Sequence, residues 1–276
     1  MRNKFQLNKN PKTKKMKTKK IIIALFFAAV TVTGFAQTSS ETSGSNFMLG
    51  AFGGLNTPRL TGGGGNPLSE GWSSRSGAAF GLTLDWNTGL HFGWRADLLY
   101  SGEGGQRNGM QALDASSFNP LAPAGTYFYA SYKNESILNY LEVPIMAKFS
   151  LNLSKSSKLY VDFGPYAGFL LNAKQKTGGS SIVYADAAGT QPVSVNPQTG
   201  QPFPVSFDAN TDIKSDINKV NFGLTGGIGF AQGVGFGHIF LDLRGAYGLT
   251  YVQNDTKNGS SHTGNLLIAL GYSIPL

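Results

Sequence analysis

The chain has 276 residues, no cysteine and a formal net charge of +8. Nine of its basic residues fall within positions 1–20, and from position 38 onward 14 basic residues face 15 acidic ones, so the folded part lacks the basic patch that nucleic-acid binding requires. The missing cysteines exclude disulfide scaffolds, Cys-ligated zinc, iron–sulfur clusters and thiol nucleophiles, and no run of about 18 apolar residues is present to form a spanning helix.

Residues 16–36 read MKTKKIIIALFFAAVTVTGFA: a basic stretch, an apolar run from Ile21 to Val32, and small residues ahead of Gln37. This three-part pattern predicts a secretory signal peptide over 1–36, cleaved after Ala36, with translation starting at Met16. A short polar linker, 37–45, then precedes one domain over 46–276.

From residue 46 apolar and polar residues alternate with a period of two, the strand signature. Eight strands are predicted, at 46–56, 78–86, 91–101, 137–151, 158–174, 220–230, 238–251 and 265–276. The third sets Phe92, Trp94, Ala96, Leu98 and Tyr100 against Arg95 and Asp97. The fourth sets Leu141, Val143, Ile145, Ala147 and Phe149 against Glu142 and Lys148. The fifth sets Leu159, Val161, Phe163, Phe169 and Leu171 against Tyr160, Asp162, Asn172 and Lys174. The seventh sets Ile239, Leu241, Leu243 and Tyr247 against Asp242 and Arg244. Ordinary strands average about 5–6 residues, whereas a tilted bilayer crossing needs about 9–11, and these runs have the greater length.

The connections alternate as well. Long ones at 57–76, 102–136, 175–218 and 254–263 share one side; short ones at 87–89, 152–157 and 232–237 share the other. The pattern predicts an all-β fold: an eight-stranded antiparallel up-and-down transmembrane β-barrel with short periplasmic turns and long extracellular loops.

With the apolar face toward lipid, Asp85, Arg95, Asp97, Glu142, Lys148, Asp162, Asp242 and Arg244 point inward. A barrel this narrow is filled by side chains, and unpaired buried charge is costly, so these five acids and three bases are expected to form a connected polar network. Trp86, Trp94, Phe149 and Tyr272 are expected at one rim and Tyr100 and Tyr251 at the other, as two interfacial girdles. A soluble lipocalin-like carrier would need the opposite polarity, with the apolar faces inside.

The stretches NYLEVPIMAKF at 139–149 and LYVDFGPYAGFLLNAK at 159–174 carry a resemblance, through Leu-Glu-Val-Pro at 141–144, Gly-Pro-Tyr at 164–166, and Asp-Leu-Arg-Gly-Ala-Tyr at 242–247. The chain resembles the outer-membrane-protein β-barrel family of Gram-negative bacteria, also called porin-family or PorT-like, over about 46–276. The resemblance implies an eight-stranded barrel in the cell outer membrane, contacts with outer-membrane lipid and insertion by the outer-membrane assembly machinery. It implies no particular activity. Such barrels usually end in an aromatic residue, whereas this chain ends Ile274-Pro275-Leu276.

No chemistry of the common kinds is assembled in the sequence. His91, His238 and His262 lie on separate segments without metal-ligand spacing. The Gly run at 62–65 lacks the Lys and helix of a phosphate loop, and the glycines at 223–229 follow strand alternation. His262, with Ser260 and Ser261 beside it, is the one candidate for lipid-modifying chemistry. The expected reading is a monomeric, non-enzymatic barrel without cofactor or metal, presenting surface loops to an unidentified extracellular or periplasmic partner. A small passive channel and a lipid-modifying enzyme are the alternatives.

Overall fold

The computed structural model describes residues 46–118 and 120–276. The expectations for the signal peptide, the start at Met16 and the linker lie outside these residues. Eight long strands form the wall: β1 (Phe47–Asn56), β2 (Gly77–Asn87), β3 (Phe92–Asp114), β4 (Tyr127–Asn152), β5 (Ser157–Gly178), β6 (Val220–Val234), β7 (Gly237–Gly248) and β8 (His262–Pro275). Each pairs antiparallel with its neighbours in sequence. The sheet closes through β1 and β8, in register from Met48↔Pro275 to Asn56↔Leu267. Closure matters because an open edge would leave a row of unpaired backbone groups. Four short 3-10 turns are the helical content among the described residues, and none is long and apolar enough to cross a membrane.

Alternation decides which side chains line the lumen. Leu82, Leu84 and Trp86 on β2, Phe92, Trp94 and Leu98 on β3, and Leu241 and Leu243 on β7 are exposed on the outer surface, while Thr83, Arg95, Asp97 and Asp242 on the same strands are buried inside. At ~3.4 Å per residue and a tilt of ~40°, the outward run from Phe92 to Tyr100 rises about 21 Å and that from Leu159 to Leu171 about 31 Å, bracketing the ~25 Å apolar band of membrane barrels. Trp86, Trp94 and Phe149 lie outward toward the short-turn rim and Tyr251 toward the other, all exposed. Tyr100 stacks on Phe80 at 4.8 Å between ring centroids.

Two expectations are corrected. Residues 102–136 are not a loop: β3 and β4 continue as a paired ribbon from Gly102↔Asn139 to Asp114↔Tyr127, so only 115–126 turns the chain. Polar alternation beyond the apolar band resembles loop composition, yet cross-strand pairing continues without lipid. The inward placement of Asn172 and Lys174 also fails. A register shift between Asn139 and Tyr140 leaves one extra residue on β5, so the faces exchange: Ala173 is 1% exposed and Lys174 lies on the surface. A β-bulge inverts the parity of every residue beyond it on that strand.

Glycines on β6 make room for inward tyrosines of β5. Gly223 pairs across from Tyr166 and Gly229 from Tyr160, and a Cβ at either glycine would overlap the tyrosine ring.

The natural chain has no cysteine, so single-cysteine labelling reads the bulge directly. In unboiled, folded protein a membrane-impermeant maleimide is expected to label Lys174→Cys readily and Ala173→Cys poorly. Equal labelling, or the reverse order, would contradict the shifted register.

Candidate functional site

The lumen is organised in three tiers. At the short-turn end Lys148 Nζ on β4 donates to Asp85 Oδ2 on β2 at 2.9 Å and sits 4.0 Å above the centroid of the Tyr160 ring. The middle tier is built on two arginines. Arg95 Nε donates to Thr83 Oγ1 at 2.9 Å and to Asp97 Oδ1 at 3.2 Å; its terminal nitrogens reach Asp162 Oδ2 at 3.3 Å and Asp242 Oδ2 at 2.9 Å. Arg244 reaches Asp97 Oδ2 at 2.6 Å and Asp242 Oδ2 at 3.1 Å, with Asp162 Oδ2 at 3.7 Å. The Tyr160 hydroxyl donates to Asp242 Oδ1, and Phe240 carries the Arg95 guanidinium on its face at 5.2 Å. Strands β2, β3, β4, β5 and β7 each contribute, so the network ties distant parts of the wall across the lumen.

Of the eight charges singled out in the sequence, the structure brings seven together. Glu142 stands apart. It is 3% exposed, yet no ion pair or hydrogen bond reaches its side chain among the described residues. Arg95 lies opposite Met146, four residues along β4 from Glu142, or roughly 13 Å of strand, and Arg244 attracts Glu142 through space without a direct contact.

The upper tier was not legible in the sequence. Glu103 Oε1 on β3 accepts from Ser101 Oγ at 2.6 Å, from Asn56 Nδ2 at 3.0 Å and from Asn265. Beside it Asn221 Nδ2 donates to Thr263 Oγ1 at 2.9 Å and to the Tyr166 hydroxyl at 3.2 Å. Above this tier lies an apolar cluster: Leu138 and Tyr140 of β4 and Leu170 and Ala173 of β5 pack with Leu60, Trp72, Ile217 and Val252 from the connections. Arg107 covers Trp72 at 4.2 Å and donates to the carbonyls of Leu68 and Glu70 at 3.1 and 3.0 Å. No periodicity marks the connection residues of this cap; the strong signal missed was Trp72 within a glycine-rich stretch.

Beyond the cap the β3–β4 ribbon and the end of β5 form a lobe with its own small core. Ala130, Tyr132 and Val183 are buried there against Leu113, Phe128, Val205 and Phe207, with the Tyr132 and Phe207 rings stacked at 4.3 Å. The segment 209–212 adds a strand along β5, and residues 180–181 pair with 205–206. In the same connection Asp186 accepts from the Gln191 N–H at 2.7 Å, the Thr190 N–H at 3.0 Å and the Thr190 hydroxyl at 2.9 Å. Lost hydration pulls the Asp186 carboxyl up, but the donors from Gln191 and Thr190 outweigh it and hold the group below its ordinary value of 3.8.

His262 does not form a catalytic set. Its ring lies 5.6 Å from the Tyr247 ring and 4.8 Å from that of Tyr251, the Ser260 N–H donates to Ser69 Oγ, and the buried Ser261 hydroxyl has no partner. Among the described residues no group of three or more His, Asp or Glu is placed to hold a metal.

A closed wall, apolar outside and charged inside, with short turns at one end and a folded lobe at the other, defines an outer-membrane β-barrel. The family model described as outer membrane protein beta-barrel domain matches residues 35–254, and the chain belongs to that family. It sits in the cell outer membrane, in contact with lipid. No curated protein matches the chain. Among solved structures it is similar to Ail, the attachment invasion locus protein of Yersinia pestis, at 11% identity and a TM-score of 0.36, covering 83% of this chain and 99% of that one. It is similar to Neisserial surface protein A at 12% and 0.34, covering 83% and 98%. It is also similar to OprG of Pseudomonas aeruginosa at 8% and 0.35, covering 84% and 97%.

Replacing Arg95 by Met leaves Asp97, Asp162 and Asp242 short of a buried partner, a loss of about 3–5 kcal/mol for a buried ion pair broken on one side. The temperature at which the unboiled gel band converts to the denatured one is expected to fall clearly in Arg95→Met, and less in Lys148→Met at the edge of the network. Equal midpoints for Arg95→Met and the native chain would show that the network adds little.

Asp186 has a lowered folded value, so its contribution is present above its ordinary value of 3.8 and is lost as the pH falls through the lowered one. Amide NMR shifts of Thr190 and Gln191 are expected to stay constant from neutral pH down to the Asp range and to move only below it. In Asp186→Ala they take displaced positions at every pH. A transition near neutral pH would contradict the assignment.

Proposed function

We propose that the protein is a monomeric, non-enzymatic outer-membrane barrel that works through its extracellular lobe, with a lumen closed to ion flow. The observation that carries this reading is the Arg95 node, 1% exposed and shared by carboxylates from β3, β5 and β7. An ion crossing the lumen would have to part these pairs, and the apolar cap of Leu60, Trp72, Leu138 and Val252 would then meet it as a second barrier. The charges hold the wall from within. The lobe has a packed core of its own, which favours a fixed outer surface over a mobile gate. Insertion into the outer membrane is assigned to the general assembly machinery, with β8 as the terminal strand.

Two measurements test the reading together. Purified folded protein in planar bilayers is expected to give no stepwise conductance, while an Arg95→Ala, Asp242→Ala double variant, with both sides of the node removed, leaks. Discrete conductance steps from the native protein would instead establish the small passive channel. Separately, His262→Ala is expected to leave the lipid A mass profile of the host unchanged; an altered profile would favour the lipid-modifying enzyme.

A further inference from the structure

The short-turn mouth of the barrel holds a cavity that neither the closed lumen nor the lobe employs. All eight strands reach its wall, and Arg95, Tyr160 and Phe240 line its inner end. Its volume is about 60 Å³. A water needs ~10–15 Å³ of such space, so about four to six waters fit, or one group the size of a phosphate or carboxylate.

The chemistry of the wall is one-sided. Lys158 on β5, His238 on β7, Asn87 on β2, Ser150 on β4 and Ser273 on β8 all line the cavity, and none of these side chains has a hydrogen-bond or ion-pair partner among the described residues. Each can donate. Among the described residues the single carboxylate in the wall is Asp85: its Oδ2 accepts from Lys148 Nζ at 2.9 Å, while its Oδ1 has no hydrogen-bond partner and lies 3.8 Å from Arg95 Nε. His238 lines the cavity, and its buried Nδ1 has no hydrogen-bond partner. An orphaned acceptor costs less than an orphaned N–H, which places the proton of the neutral ring on Nε2, as one more donor. Among the described residues, one uncommitted ammonium group, an imidazole N–H, a side-chain amide and two hydroxyls thus line a space whose one carboxylate, Asp85, is paired with Lys148.

We propose that this mouth is an oxyanion-binding cup, open to the periplasm, that takes a phosphate or carboxylate group between Lys158, His238 and the Ser150 hydroxyl. Charge-assisted hydrogen bonds to an oxyanion are the strong kind, and a partly enclosed site strengthens them. Arg95 closes the inner end, so the cup is a blind site, separate from any path through the barrel. The inference is independent of the role assigned to the lobe and survives if that role fails.

The test uses folded, isotope-labelled full-length protein in detergent. Inorganic phosphate and acetate are titrated separately, with sodium chloride at matched ionic strength as the reference. Saturable shifts of the His238 ring and of the Ser150 and Gly237 amides are expected with at least one of the two anions, and their relative affinities identify the preferred chemistry. Lys158→Gln removes one charge-assisted contact and is expected to weaken binding about tenfold. Lys155→Gln, in the adjacent turn, is expected to leave binding unchanged. The boiled-against-unboiled gel shift verifies that each variant is folded, and His238→Gln serves as a second cup variant if Lys158→Gln does not fold. Shifts that match the chloride reference, or binding that persists undiminished in a folded cup variant, would overturn the proposal. Equal loss of binding in Lys155→Gln would overturn it as well, since it would reduce the effect to general surface charge.

Discussion

Everything in this molecule depends on the pairing of β1 with β8. A strand in lipid has no water to satisfy its backbone, so the wall must have no edge. The nine register pairs between Met48↔Pro275 and Asn56↔Leu267 remove that edge. Once the sheet is closed, alternation leaves no freedom of placement: Leu241 and Leu243 must face lipid, and Asp242 and Arg244 must face each other or a neighbour inside.

Closure creates an electrostatic problem that the interior then solves. Burying a charge without a partner is costly, and a buried pair roughly breaks even against an apolar pair of the same shape. The network is therefore better understood as a condition of this polarity than as a surplus of stability. Its effect is specificity of shape. Arg95 and Arg244 can satisfy Asp97, Asp162 and Asp242 together only if β3, β5 and β7 stand in one relative register. The tyrosines deepen this constraint. Tyr160 donates to Asp242 and lies over the position where β6 carries Gly229, so the fifth and sixth strands fit in one way.

The two ends of the barrel solve different problems. At the outer end β3 and β4 leave the membrane without ceasing to be strands, because their ladder needs only each other, and the lobe gains a core from Tyr132, Val183 and Phe207. Loop residues fold back and pack with strand residues around Trp72 and Val252. At the inner end the turns are short, and among the described residues the donors that line the mouth have no partners.

Period-two alternation and the spacing of turns were enough to read eight strands, their antiparallel order, the outward apolar band and seven of the charges that meet in the lumen, because these are properties of each strand taken alone. The sequence by itself thus determined the class of fold and, where no bulge intervenes, which residues face inward. It did not reveal the bulge that exchanges Ala173 and Lys174, since an extra residue shows only against a partner strand. Nor did it reveal the separation of Glu142 from Arg95, because height within a barrel is set by register across strands. The cap of Leu60, Trp72, Ile217 and Val252 and the donor ring at the opposite mouth were likewise decided by tertiary structure. Their members lie far apart in the chain, and closure of the sheet is what brings them together.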